Sequence, residues 1–167
     1  PPHPEGGGVV GRSCAYVGGV GGWVPARGWA SPAGGAPTPT ALGRHLATCQ
    51  KTALQNAYGE LVTTGDYSPD PESAGRRSLR NLCLSYLMEL DTHEVRSWAL
   101  DQVNNANNMT DAMAALGTLA NNDCRERREA LLGFYRTWKN EPLVVDKWFA
   151  VQAGSRLPDT LNDCLLY

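Results

Sequence analysis

The side chains suited to chemistry in this 167-residue sequence are few and scattered. A helical zinc site that activates water needs two His at i and i+4 on one turn, so that both imidazoles face the metal, with a Glu as base. The sequence holds only His3, His45 and His93. Glu94 follows His93, but position 97 is Ser, so the second ligand is missing and His93 reads as an exposed residue near a helix start. Nucleophilic catalysis has no better anchor, because no G-x-S-x-G elbow strains a serine into place. Asp66 and Asp70 pair two carboxylates in one turn segment, where such residues cap helices. The five cysteines (Cys14, Cys49, Cys83, Cys124 and Cys164) stand 34 to 41 residues apart, without the close spacing of a zinc knuckle or a redox pair. Cys83 falls on an apolar stripe, where a thiol acts as a small core hydrophobe. Single spacing and an odd count point to reduced thiols and an intracellular, cytoplasmic or plastid setting. The expectation is therefore no catalytic, no cofactor-binding and no metal-ligating residue.

The elements behind these residues fall into two unlike parts. Residues 1–43 hold 12 of the 18 glycines and 7 of the 11 prolines, with Glu5, Arg12 and Arg27 as their only charged side chains. Glycine maximises the backbone entropy lost on ordering and proline removes backbone donors, so this stretch reads as a disordered Gly/Pro-rich segment. Its glycine clusters have no preceding strand and open no helix, which excludes a nucleotide loop. Residues 44–167 carry 13 bases and 16 acids, a net of −3, and read as one folded domain. A near-neutral balance leaves no footprint for nucleic acid or an anionic membrane. No apolar run approaches the ~20 residues of a membrane span. The clusters Arg76, Arg77, Arg80 and Arg125, Arg127, Arg128 read as solvated helix faces.

Within the second part the hydrophobic period is helical throughout. Leu46, Cys49, Ala53, Leu54, Ala57, Tyr58 and Leu61 mark one face of a first helix from about Arg44. Asp70-Pro71-Glu72 has the form of a helix start: an N-cap acid, proline in the first turn and a second acid at the positive end of the dipole. Leu79, Leu82, Cys83, Tyr86, Leu87 and Leu90 follow as its stripe, with Leu84 and Met88 off it. Val95, Trp98, Ala99, Val103 and Ala106 make the next stripe, capped by Asp91 or Thr92. Asn108 with Asp111 resembles a capping box with the shorter acid, ahead of Met109, Ala112, Met113, Leu116 and Ala120. That role leaves the sequon at Asn108 as a cap rather than a glycosylation site. Leu131, Phe134, Tyr135 and Trp138 form a fifth stripe, Val145, Trp148 and Phe149 a sixth behind Pro142, and Pro158 opens a seventh helix. Connections of two to five residues force antiparallel neighbours. The fold expected is all-α, with stacked antiparallel helix pairs forming an α-solenoid or superhelix, although no fixed-period repeat is visible.

Three blocks carry more than composition: Arg76-Arg77-Ser78-Leu79-Arg80-Asn81, Asn107-Asn108-Met109-Thr110-Asp111, and Leu143 to Ala153 around Asp146-Lys147-Trp148-Phe149. In order and spacing, the run from Leu46 to Asp163 resembles the carboxy-terminal helical domain of aminopeptidase N, of the gluzincin zinc metallopeptidases. The resemblance implies a superhelix that covers the catalytic domain and encloses the substrate chamber of an enzyme releasing amino-terminal residues from peptides. The catalytic domain would be its partner and peptides its substrate through that domain. Zinc belongs to the resembled parent, whose H-E-x-x-H and G-A-M-E-N sequences are absent here, so no site residue carries over and this chain alone is expected to be no enzyme. The resemblance fails upstream of Arg44 and stops before the family's later helices, which implies an exposed apolar face where a next repeat would pack. The alternative is an independent α-helical protein-interaction module.

Overall fold

The computed structural model describes residues 39–158 apart from 63, 64 and 66. Residues 1–38 with His3 and Cys14, together with Asp66, Cys164 and the helix expected beyond Pro158, lie outside the described residues. The elements described are seven helices: α1 (Pro39–Cys49), α2 (Lys51–Glu60), α3 (Pro71–Met88), α4 (His93–Asn105), α5 (Met109–Leu119), α6 (Arg125–Trp138) and α7 (Pro142–Ala153).

Most helix starts follow their capping chemistry. Asp70 accepts from the Ser73 N–H at 2.9 Å, ahead of Pro71. Thr92, rather than Asp91, caps α4 by accepting from Val95 N–H. Asp91 instead takes a left-handed φ of 50°, which an aspartate tolerates in turning the chain between α3 and α4. Asn108 caps α5 and Cys124 caps α6, its Sγ accepting from Arg127 N–H at 3.4 Å. The first helix departs from expectation. It starts at Pro39, five residues ahead of Arg44, and breaks at Gln50 (ψ 18°) into α1 and α2. The bonds Gln50 N–H to Leu46 O and Leu54 N–H to Gln50 O carry the backbone through the break. The link from α2 to α3 is also longer than two to five residues, running from Leu61 to Asp70.

The helices stack in two layers. α3, α5 and α7 lie side by side in one, while α4 and α6 lie together in the other, α4 also covering α5, and α1 packs on α3. α2 packs on α3 and meets α4 through the stacked rings of Tyr58 and Trp98, 5.7 Å apart. Between the layers Leu84, Leu87, Val95, Ala99, Ala115, Leu116, Leu119 and Trp148 are fully buried. Burying a large apolar side chain contributes about 1.5–3 kcal/mol each, so this seam holds the stack together.

The stripe expected on α3 is rotated. Leu79 and Leu82 are exposed, at 48% and 40%, whereas Leu84 and Met88 are buried. The buried line is Arg77, Asn81, Leu84 and Met88, with Cys83 and Leu87 beside it. Two of its members are polar, so a search for apolar residues alone finds the wrong centre. On α1 and α2, Leu46, Cys49 and Ala53 are likewise exposed while Tyr58 points in. The arginine clusters need correction too: Arg77 and Arg127 are buried, and only their neighbours Arg76, Arg125 and Arg128 are exposed.

Candidate functional site

The first two motif blocks meet in the core. Asn81 on α3 donates from Nδ2 to Asp111 Oδ1 on α5 at 2.7 Å. Gln102 on α4 donates from Nε2 to Asn81 Oδ1 at 2.7 Å and to the Asp111 carbonyl at 3.0 Å. Tyr58 on α2 donates its hydroxyl to Gln102 Oε1 at 2.9 Å. Four helices are thus joined by one chain of bonds, and Tyr58, Asn81, Gln102 and Asp111 are all buried. Asn108 closes the end of the chain: its Oδ1 accepts from Asp111 N–H and its Nδ2 donates to Asp111 Oδ2, both at 2.9 Å. The amide of Asn108 is therefore committed to the fold, in keeping with a cap and not with an exposed glycosylation acceptor.

The arginines of the first block serve the α2–α3 link. Arg77 donates to Ser68 O at 2.8 Å and lies over the Tyr67 ring, and Arg76 donates to Glu60 O at 3.2 Å. Arg80 lies 4.6 Å over the Tyr58 ring and donates to its hydroxyl. Asn107 Nδ2 reaches the same link, donating to Gly65 O at 3.0 Å. Burial pushes the Tyr58 hydroxyl above its ordinary pKa, with Arg80 pulling the other way. Nothing in this arrangement exposes a nucleophile or a base: the side chains of Tyr58, Asn81, Gln102 and Asp111 are bonded to one another, as buried polar groups usually are.

The third block packs the far end. Trp148 Nε1–H donates to Leu131 O at 2.9 Å and its ring meets Tyr135 and Phe149. Of the two aromatics on the stripe behind Pro142, Trp148 is buried and Phe149 is 41% exposed.

His93 stands where expected, exposed at the start of α4. Its Nε2 lies 3.5 Å from Glu126 Oε1, and Arg96 bridges Glu126 and Asp91. The backbone N–H of Glu126 itself, then Arg96, hold the Glu126 carboxyl below its usual range. A shallow depression lined by His93, Ser97, Leu100, Arg125, Glu126 and Glu129 opens beside them. His45 lies on another helix, 3.6 Å from Cys49 Sγ. Among the described residues no group of three or more His, Cys, Asp or Glu is placed to hold a metal ion.

Comparison with known proteins decides the family. The family described as "Domain of unknown function (DUF3458_C) ARM repeats" matches residues 36–164. The chain belongs to this family. It is 38% identical over 109 residues to aminopeptidase N of Caulobacter vibrioides, covering 65% of this chain and 13% of that one. It is 38% identical over 125 residues to aminopeptidase N of Escherichia coli, covering 73% and 14%. Among solved structures, the Legionella pneumophila aminopeptidase A in complex with aspartic acid superposes with a TM-score of 0.63 at 32% identity, over 73% of this chain and 15% of that one. The domain is thus the helical carboxy-terminal domain of the aminopeptidase N type, as the three motif blocks implied, and the chain spans about one-seventh of the relatives it matches. No helix among the described residues is long and apolar enough to cross a membrane.

Proposed function

We propose that this domain is a non-catalytic part of a zinc aminopeptidase that removes amino-terminal residues from peptides, and that its role is to cover the catalytic domain and shape the substrate chamber. The observation that carries the reading is the inward spending of the motif residues. Asn81 and Asp111 of the first two motif blocks are buried and bonded to each other, and Gln102 and Tyr58 join them. A domain whose polar side chains lock four helices together is built to hold a shape. The relatives at 38% identity supply the enzyme class. Peptides would meet this domain only through the catalytic domain, and zinc would be held there. The free thiols of Cys49, Cys83 and Cys124 support a reducing, cytoplasmic setting.

The test is co-expression of the 167-residue chain with the portion of Caulobacter vibrioides aminopeptidase N that precedes its match to this chain. Association at micromolar concentration, with altered release of aminoacyl fluorophores, is expected. Metal-dependent turnover by the chain alone, above a metal-free blank, would overturn the non-catalytic role.

A further inference from the structure

One pair of metal-ligating side chains stands apart from the polar network of the core. His45 and Cys49 lie on α1 at the i, i+4 spacing of a helical chelate, with a thiol in place of a second imidazole. Successive residues turn about 100° on a helix, so both project to one side, opposite Ala47, the buried residue of α1. Both are exposed. Cys49 is a free thiol, and its Sγ lies 3.6 Å from His45 Nε2.

Two bonding arrangements share that distance. In the metal-free chain it is a weak hydrogen bond between thiol and imidazole. It is also the span across a tetrahedral metal: with Zn–S of about 2.3 Å and Zn–N of about 2.0–2.1 Å, the two donor atoms stand about 3.5–3.6 Å apart. A cation that replaces the shared proton therefore finds its two donors already at their bound separation. The charge around the pair permits this. Arg44 turns its Nε to Glu89 O at 3.1 Å, on the α3 side, and Lys51 lies beyond the break at Gln50. His93, the other exposed imidazole among the described residues, differs: its neighbour Glu126 is also paired with Arg96, whose charge opposes a metal ion.

We infer that His45 and Cys49 form a two-residue site for a thiophilic divalent cation of the Zn²⁺ class, bound through Sγ and Nε2 with its remaining positions filled by water. Binding is ligand exchange without redox. The Cys49 S–H bond breaks, its proton passes to solvent, and the thiolate sulfur and the Nε2 lone pair each donate to the metal. Thiolate and imidazole suit Zn²⁺, Co²⁺ or Cd²⁺, whereas Mg²⁺ and Ca²⁺ take oxygen ligands. The chelate closes the last turn of α1, immediately before the break at Gln50. This site is independent of the aminopeptidase reading proposed above.

The experiment titrates the reduced 167-residue chain with Co²⁺ and follows the near-ultraviolet charge-transfer absorption of a cobalt–thiolate bond. The band should appear, saturate at one equivalent, and disappear on addition of Zn²⁺ but not of Mg²⁺. Cys49→Ser should abolish it and His45→Gln should weaken binding tenfold or more, with helical circular dichroism unchanged because both side chains are exposed. Cys14→Ser with Cys164→Ser should bind within twofold of the unaltered chain. A band that survives Cys49→Ser, or that is lost in the Cys14 and Cys164 pair, would put the metal elsewhere and overturn the assignment. Binding within twofold in His45→Gln would reduce the site to a thiol alone and overturn it equally. Protection gives a readout free of any variant: saturating Zn²⁺ should slow alkylation of Cys49 tenfold or more, and an unchanged rate refutes the site.

Discussion

Asn81 and Asp111, thirty residues apart, are joined across α3 and α5 by a 2.7 Å hydrogen bond between an amide and a carboxylate that are both buried. The carboxylate has Asn108 as its second side-chain donor, so its stability in the core depends on amides. Removing Asn81 deprives Asp111 Oδ1 of a donor and Gln102 Nε2 of an acceptor. Asn81→Ala should therefore lower unfolding free energy by about 2–3 kcal/mol, the cost of leaving buried polar groups unpaired. Urea unfolding followed by circular dichroism measures it, and a loss under half a kcal/mol would show that the network is slack.

Tyr58 gives the same network a pH dependence. Burial raises its pKa above the ordinary value, so the folded state favours the neutral phenol. That contribution is complete below pH 10, where the unfolded tyrosine begins to ionise, and is lost as pH rises through the higher folded value. The protein should lose stability above pH 10, and Tyr58→Phe should flatten this limb while costing about 1 kcal/mol at neutral pH from the lost hydroxyl bonds. Unfolding midpoints between pH 8 and 11 decide it; parallel curves for the two proteins would remove Tyr58 as the cause.

How far the sequence discloses this molecule depends on which residues face inward. The helical period, the caps at Asp70, Thr92 and Asn108, and Pro142 in the first turn of α7 are local, and all are legible from spacing. The centre of α3 is not, because Arg77 and Asn81 occupy buried positions that a hydrophobic stripe skips. Asn81, Leu84 and Met88 share one face at steps of three and four, and Gln102 continues the Val95 and Ala99 line on α4. A polar residue in register with an apolar line was the available signal. The break at Gln50 has no proline or glycine beside it, and nothing in the local sequence marks it. The ARM-repeat character shows in the stacking of helices rather than in repeated residues.

Asp70 controls the acid side. Ser68 Oγ–H at 2.6 Å, and then Ser73, donate to its carboxylate and hold its pKa well below the ordinary carboxylate range. A depressed pKa contributes stability that is present above about pH 4, where the unfolded group is ionised, and is lost as pH falls toward the folded value. Asp70→Asn keeps an acceptor for Ser73 but cannot titrate. The fall in stability between pH 5 and pH 2.5 should be smaller in that variant, as read from urea midpoints at each pH; an equal fall would assign the acid limb to other carboxylates.

Trp148 separates the role of a hydrogen bond from that of volume. Its side chain is fully buried and its Nε1–H is spent on Leu131 O. Trp148→Phe retains a ring but leaves that bond unmade and part of the space unfilled, at about 1–2 kcal/mol. Trp148→Ala opens a full cavity between α6 and α7, at about 3–5 kcal/mol. Leu143→Ser, on the same helix but 78% exposed, should stay within about 0.5 kcal/mol. Thermal melts that failed to rank the three in this order would mean that α7 is not anchored through Trp148.

The thiols report the layering directly. Cys49 is exposed, whereas Cys83 and Cys124 are buried and burial pushes both of their pKa values up. The thiolate is the reactive form, so burial and the raised pKa both hold Cys83 and Cys124 back from reaction. Alkylation with iodoacetamide at pH 8, mapped by mass spectrometry, should label Cys49 in the native chain and label Cys83 and Cys124 only in denaturant. Cys124 has the sharper meaning of the two, because its sulfur caps α6 by accepting from Arg127 N–H. Reaction of Cys124 at the native rate of Cys49 would require α6 to fray from its first turn, and would contradict a domain whose layers are held closed.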